Sequence, residues 1–113
     1  MATTYKRLGA VASTGTIGTA DTLYTASGTA NTSTVVSTIA ICNTASTSAT
    51  YRICIHTSAA FTAAGYLVYG GTVGANDTVF LTVGVTLDPT NRYLTCSASA
   101  STVSFSAFGV ENS

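Results

Sequence analysis

The clearest pattern in this chain is an alternation of apolar and mostly polar positions over residues 76–87. Valine or leucine occupies every second position, and threonine, phenylalanine or glycine lies between them. Successive side chains of a strand point to opposite faces of its sheet, so this spacing predicts a long strand with one buried face. Asp88 and Pro89 follow at once and suit a turn that ends the strand. The side chains predicted to face the core are Val79, Leu81, Val83, Val85 and Leu87.

Two more segments, residues 33–43 and 51–57, alternate with the same period. The polar, small-residue stretch 44–49 lies between them, so the two strands are predicted to form an antiparallel hairpin. In that register Cys42 would lie opposite Cys54. The residues predicted to share a core-facing side are Val35, Ile39 and Ile41 in the first segment and Tyr51, Ile53 and Ile55 in the second.

The rest of the chain carries shorter strand patterns and no apolar repeat at helical spacing. About eight strands without helices predict one domain, residues 1–113, built as an antiparallel β-sandwich or jelly-roll-like fold. Residues 12–20 and 26–34 are predicted surface loops, with arms that order only against a neighbouring subunit as the alternative. The other predicted strands are residues 5–11, 22–25, 65–69, 92–97 and 102–110.

Composition indicates a protein that works in contact with other proteins. Only 7% of residues are charged, net charge is zero, and serine and threonine fill 36 of 113 positions. An isolated soluble domain normally carries many charges of both signs, whereas hydroxyl and alanine surfaces lose little when another protein covers them. The chain has no basic stripe for nucleic acid and no apolar run of about 20 residues for a membrane span. Its amino terminus lacks a signal-peptide pattern, so we expect synthesis in a cytoplasm.

Residues that could carry chemistry are few and scattered. His56, the single histidine, follows Cys54 by two residues, but no acid lies nearby to orient a catalytic pair. Cys42, Cys54, His56 and Cys96 lack the tight spacings of a zinc site. We therefore expect no catalytic residue, no metal and no cofactor. A Cys42–Cys54 disulfide stays open, because it depends on the redox compartment.

The six tyrosines are the remaining candidates for a contact role. Tyrosines most often lie at the margin of a core with the hydroxyl in water, but they also contact partner proteins or stack on sugar rings. Tyr66 and Tyr69 flank one short predicted strand and are the candidate surface aromatic contacts.

Five stretches together resemble a known family: MATTYKRLGAVA, TLYT, STVVSTIAICNTASTSATYRICIHT, GANDTVFLTVGVTL and STVSFSAFGVENS. They are similar, in this order and over nearly the whole chain, to the small all-β virion structural proteins of tailed bacteriophages, including cyanophages. Two features depart from the pattern. Ala26 and Ser27 follow the TLYT segment where such chains often have a proline, and the cysteines are particular to this chain.

The resemblance implies a non-enzymatic virion component that binds itself and other phage structural proteins. The candidates are a head decoration or cement protein, or a neck, tail or fibre-associated protein, most plausibly a homotrimer at local three-fold positions. Residues 1–13 are the candidate docking strand or arm, with Tyr5, Lys6, Arg7 and Leu8 as its contacts. The alternative is a tail module that binds a host-surface glycan or receptor.

Overall fold

The computed structural model describes residues 3–58 and 63–112 and confirms the all-β prediction. Eight strands are present, and the one helical element among the described residues is a 3₁₀ turn, Ala63–Gly65. No helix in this part of the chain has the length and apolar character needed to cross a membrane. The strands are β1 (Thr3–Ala12), β2 (Asp21–Thr25), β3 (Ser33–Asn43), β4 (Ala49–His56), β5 (Tyr66–Val73), β6 (Thr78–Leu87), β7 (Tyr93–Ala98) and β8 (Val103–Asn112).

The strands form two four-stranded sheets in which every pair of neighbours is antiparallel. Sheet A has the order β1-β8-β3-β6, and sheet B has the order β2-β7-β4-β5. Both sheets contribute buried apolar side chains to one core, which is the arrangement of a β-sandwich. Each sheet therefore has a core-facing side and an outer side.

The predicted hairpin between β3 and β4 is wrong. β3 pairs with β6 and β8 in sheet A, and β4 pairs with β5 and β7 in sheet B. The chain crosses from one sheet to the other through residues 44–48, because both strands bury an apolar face on opposite sides of the same core. Local alternation shows that a face is buried but does not identify the sheet to which the strand belongs.

A buried asparagine organises this crossing. The Asn43 side chain is almost fully buried and donates from Nδ2 to the carbonyl oxygens of Thr47 at 2.8 Å and Gly74 at 3.2 Å. Its Oδ1 accepts from the Ala45 amide and the Thr102 hydroxyl, both at 3.1 Å. One amide thus satisfies four polar groups and joins three connections at this end of the sandwich.

The core is made of aliphatic side chains and one pair of aromatic rings that joins the sheets. Phe105 of β8 is fully buried, and its ring centroid lies 6.3 Å from that of Tyr51 of β4 in an edge-to-face arrangement. The predicted inward face of β6 is confirmed. The largest fully buried apolar side chains are Phe105, Ile39, Ile41, Ile53, Leu87, Leu94, Val36, Val73 and Val103.

The predicted faces of β3 need one correction. Relative to β8, a register shift between Val36 and Thr38 leaves Ser37 as an extra residue in β3. The side chain that joins Ile39 and Ile41 in the core is therefore Val36, while Val35 is only partly buried. A bulge of this kind changes which residues share a face, and hydrophobic spacing alone does not reveal it.

The sandwich is closed along one side and open along the other. On the closed side β1 lies so near β2 that a Cβ atom at Gly9 would come 2.1 Å from the Leu23 carbonyl oxygen. On the open side the inward side chains of β6, from Val79 to Val85, are only partly buried. Phe80, on the outer side of β6, is 69% exposed.

The two aromatic side chains Phe105 and Phe80 provide a matched test of where the stability lies. Phe105→Ala should lower the free energy of unfolding by about 3–5 kcal/mol, because it leaves a cavity between the sheets. Phe80→Ala should change it by no more than about 0.5 kcal/mol, because the ring is mostly in water. Urea unfolding followed by circular dichroism measures both. Similar losses in the two variants would contradict this account of the core.

Candidate functional site

The broadest candidate surface is the outer face of sheet A. Strand alternation and register place small hydroxyl and alanine side chains there, together with a few aromatic and aliphatic ones. Arg7 is the one charged side chain among them in the described chain. Four rows cross the face from β1 through β8 and β3 to β6: Tyr5-Val110-Val35-Thr86, Arg7-Phe108-Thr38-Thr82, Ala10-Ser106-Ala40-Phe80 and Ala12-Ser104-Cys42-Thr78.

The four predicted docking residues do not point the same way. Tyr5 is 68% exposed on the outer face, where its hydroxyl lies 3.1 Å from the Ser37 hydroxyl, and Arg7 is exposed on the same face. Leu8 instead packs against the core at a register shift between Arg7 and Gly9. β1 is paired with β8 along its length, so residues 3–12 belong to sheet A in this structure.

Lys6, the fourth of these residues, belongs to a polar cluster at one end of the sandwich. Its Nζ lies 2.8 Å from a Glu111 carboxylate oxygen, and the Tyr24 hydroxyl donates to the other oxygen of the same carboxylate. The Tyr24 hydroxyl also lies 3.2 Å from that of Thr34. The cluster connects β1, β8, β2 and β3, so it joins the two sheets. It borders a cavity of about 170 Å³, which is smaller than ordinary small-molecule sites.

The charge of Glu111 is favoured by this arrangement. Hydrogen bonds from Lys6 and then Tyr24 hold the pKa of Glu111 below its ordinary value of 4.5. Burial, followed by the hydrogen bond to Glu111, raises the pKa of Tyr24. The carboxylate is therefore ionised and the phenol protonated at neutral pH, which is the pair of states that the contact requires.

The cysteines are separated by the two-sheet topology. Cys42 lies in sheet A as a partly exposed free thiol, whereas Cys54 is buried in sheet B and its Sγ donates to the Ile55 carbonyl at 3.6 Å. The register that placed Cys42 opposite Cys54 does not exist, so the geometric basis for that disulfide is removed. Burial, and then the charge of Asp21, raises the pKa of Cys96 and keeps this thiol protonated.

Tyr66 and Tyr69 come together on the outer side of sheet B. Their ring centroids are 4.9 Å apart in an edge-to-face arrangement, and the Arg52 guanidinium lies 4.2 Å from the centre of the Tyr69 ring. Tyr69 is 66% exposed and Leu67 is 41% exposed. Arg52 was not singled out by the sequence, because the contact depends on the pairing of β4 with β5, which places Arg52 opposite Tyr69.

The described residues contain no group of three or more histidine, cysteine or acidic side chains that could hold a metal ion. Cys54 and His56 do lie on the same strand, but the Cys54 thiol is fully buried.

Two residues with a role in the structure, Asn43 and Phe80, could not be recognised from the sequence. In the sequence, Asn43 is only the last residue of a predicted strand, and Phe80 is only one of the outward positions of residues 76–87.

The Glu111 cluster predicts a dependence of stability on pH. Because its pKa is lowered in the folded state, Glu111 contributes stability above pH 4.5, and this contribution is lost as pH falls through the folded-state pKa. Glu111→Gln should therefore cost about 0.5–1 kcal/mol at pH 7, a modest value because solvent screens the pair, and less at pH 3. Urea unfolding at the two pH values measures the difference. Lys6→Gln should show a smaller loss at pH 7, and an effect of Glu111→Gln that is equal at both pH values would contradict the assignment.

Comparison with known proteins shows similarity at the level of structure alone. No family model matches this sequence, and no curated protein matches it significantly. Solved structures that match include a chain in the structure of infectious bursal disease virus, Gt strain, with a TM-score of 0.49 and 11% sequence identity. That match covers 97% of this chain and 30% of the viral chain. A similarity of this size assigns neither a family nor a function.

Proposed function

We propose that this protein is a non-enzymatic structural component of a tailed-bacteriophage particle that binds other capsid or tail subunits. The observation that supports this best is the outer face of sheet A, which spans four strands with Arg7 as its one charged side chain among the described residues. Covering such a face requires little removal of water from charged groups, so it suits a permanent protein contact.

The size of this face approaches that of a specific interface. Strands of about ten residues at roughly 3.4 Å per residue, spaced about 4.8 Å apart, give a face of about 650 Å² in projection. A stable protein contact buries about 800 Å² of accessible surface on each partner. The exposed Tyr5 and Phe80 rings stand at opposite edges of the face and would add contact area when a partner covers it.

The finer assignment draws on the resemblance of the sequence to small phage virion proteins. A head decoration or cement role, or a place in the neck, tail or fibre, fits a small domain present in many copies. Closed symmetry then follows, with a trimer at local three-fold positions as the specific expectation. Partners would be this chain itself and the major capsid or neck and tail proteins, and the location would be the virion.

Substitution on the two outer faces tests the proposal. Ala10→Arg places a long charged side chain on an exposed position of the sheet A face, and Thr50→Arg does the same on sheet B. Ala10→Arg should reduce incorporation into particles at least tenfold, whereas Thr50→Arg should leave it near wild type. Quantitative immunoblots of purified particles measure incorporation, and unchanged thermal unfolding shows that both variants fold.

Difference-density imaging of particles with and without the protein locates it. Density spread over the head would support a decoration or cement role, and density at the neck or tail would support a connector or fibre role. Absence of the protein from every particle would contradict the proposal as a whole.

A second candidate function is a tail module that binds a host-surface glycan, and the aromatic group on sheet B favours it. The Tyr69 ring is mostly exposed and could stack on a sugar, and the Arg52 guanidinium over one of its faces supplies a positive charge. The Arg52 Nε atom is buried and has no hydrogen-bond partner among the described residues, a cost that packing alone does not explain.

Glycan-array binding distinguishes this function from the first. If it is correct, Tyr69→Ala should lower binding to any recognised glycan at least tenfold, because the stacking surface is lost. Tyr5→Ala, which removes an equally exposed tyrosine from the other sheet, is the matched control and should leave binding unchanged. An array with no bound glycan, together with normal adsorption of particles that lack the protein, would contradict the glycan function.

A further inference from the structure

The four edge strands of the sandwich differ in how well they are protected from pairing with another strand. An exposed edge is normally blocked by charge, proline, short length or a bulge, because its free backbone groups otherwise bind a second strand. β1 carries Lys6 and Arg7, and β2 has five residues with a register shift. β5 has two register shifts against β4 and a positive φ of 75° at Gly70.

The β6 edge has much weaker protection. Its ten residues, Thr78–Leu87, include no charged side chain and no proline. The first half, from Thr78 to Thr82, pairs regularly with β3, and no described strand pairs with its other side. The irregularity comes later, at Gly84, which has a positive φ of 61°. A regular, uncharged strand segment is therefore left open at the edge of sheet A.

The side chains of this segment are also incompletely covered on both faces of the sheet. Phe80 is 69% exposed on the outer side, and Val79 and Leu81 are only partly buried on the inner side. A strand added beside β6 would cover all three while it satisfies the free backbone groups. The open side of the sandwich and the unprotected edge are thus the same place.

We propose that β6 pairs with β6 of a second copy of this chain, antiparallel about a two-fold axis through Phe80, so that the two A sheets become one sheet of eight strands. The proposal rests on the proposed function in that both require the chain to bind copies of itself or other subunits. In this register Phe80 lies across from its own copy, Thr78 across from Thr82, and Val79 across from Leu81. The two residues of each pair then lie on the same face of the joined sheet. Two aromatic side chains directly opposite each other on neighbouring strands, as Phe80 and its copy would be, stabilise the contact between the strands.

Charge explains why the partner is a second copy and why the register is this one. A two-fold contact places each residue near its own copy, so β1 would bring Lys6 and Arg7 near identical charges, whereas β6 has none. Asp77 and Asp88 flank β6 at its two ends. Full-length pairing would put Asp77 beside Asp88 and reverse the faces, while pairing about Phe80 leaves both acids away from like charge.

The contact is small, which determines the conditions under which it forms. Five to seven paired residues extend over about 20 Å and the sandwich is about 10 Å thick between sheets, so each copy contributes about 200 Å² in projection. A stable complex needs about 800 Å² per partner. The dimer is therefore reversible in dilute solution, and it forms extensively where other contacts hold copies side by side, as on a particle surface.

Cysteine cross-linking at the two-fold axis tests the pairing. Phe80→Cys is made in a Cys42→Ser background, because Cys42 is the one partly exposed thiol among the described residues. Paired strands hold opposite Cα atoms about 4.5–5.5 Å apart, which a disulfide can bridge. The matched control is Thr86→Cys in the same background, on the same face but beyond Gly84.

The variants are oxidised at several hundred micromolar protein, and mass spectrometry detects covalent dimer at twice 11.4 kDa. Most of the Phe80→Cys variant should become dimer, and less than a tenth of the Thr86→Cys variant. Phe80→Lys, which places like charges at the axis, should abolish the concentration-dependent dimer that sedimentation detects for the wild type. Circular dichroism confirms that each variant folds. Equal cross-linking at positions 80 and 86, or none at either, would overturn the pairing.

The two proposals fail in different ways. If Phe80→Cys does not cross-link but the wild-type protein is found on particles, the β6 pairing is wrong and the virion role stands. If it cross-links in solution and the protein is absent from every particle, the pairing is correct and the virion role is wrong.

Discussion

The backbone contact between β1 and β2 is the constraint on which the shape of the sandwich depends. With no Cβ at Gly9, the first strand of sheet A can lie directly against the Leu23 carbonyl of sheet B. This close approach seals one side of the core without large side chains, and it accompanies the register shift that turns Leu8 inward. The opposite side has no equivalent contact, and the inward side chains of β6 stay half covered. An asymmetric closure thus leaves one edge of the molecule incomplete.

Scarcity of charge acts together with this asymmetry. The chain has four basic and four acidic residues, and one basic–acidic pair, Lys6 with Glu111, lies within sheet A, where Tyr24 connects it to sheet B. Few charges remain to keep neighbouring molecules apart, so the outer face of sheet A and the edge of β6 present hydroxyl, alanine and aromatic groups to their surroundings. The same composition therefore accounts for surfaces that favour contact with other subunits.

Much of the fold was predictable from hydrophobic spacing, and the limits of that prediction have physical causes. The alternation in β6 correctly identified its buried face, because a strand with one face in the core has a period of two. The same pattern could not show that β3 and β4 belong to different sheets, because a strand on either side of the core has the same alternation of apolar and polar residues. Ser37, an extra residue of β3 relative to β8, also reversed the phase of β3, and nothing in its local composition marks a bulge.

The candidate surfaces were less predictable, because they depend on contacts between distant parts of the chain. Tyr66 and Tyr69 were predicted as surface contacts because they flank a short strand, but Arg52 joins them only through the pairing of β4 with β5. Glu111 lies in the last strand and contacts Lys6 in the first. Of the segment predicted for docking, Tyr5 and Arg7 face outward, which register against β8 decides and local sequence does not.

The position of β8 between β1 and β3 has a consequence for how the protein is made. A ribosome produces β1, β3 and β6 before β8, yet β8 is the strand that pairs with both β1 and β3 and carries Phe105 into the core. Until it emerges, sheet A lacks its centre, and β1 has no described partner strand within its own sheet. Pairings between distant strands form slowly, and the exposed strands of an unfinished chain are prone to aggregate. Sheet A can therefore be completed only after β8 has been synthesised, and until then β1 and β3 expose unpaired backbone groups on the sides that β8 will occupy.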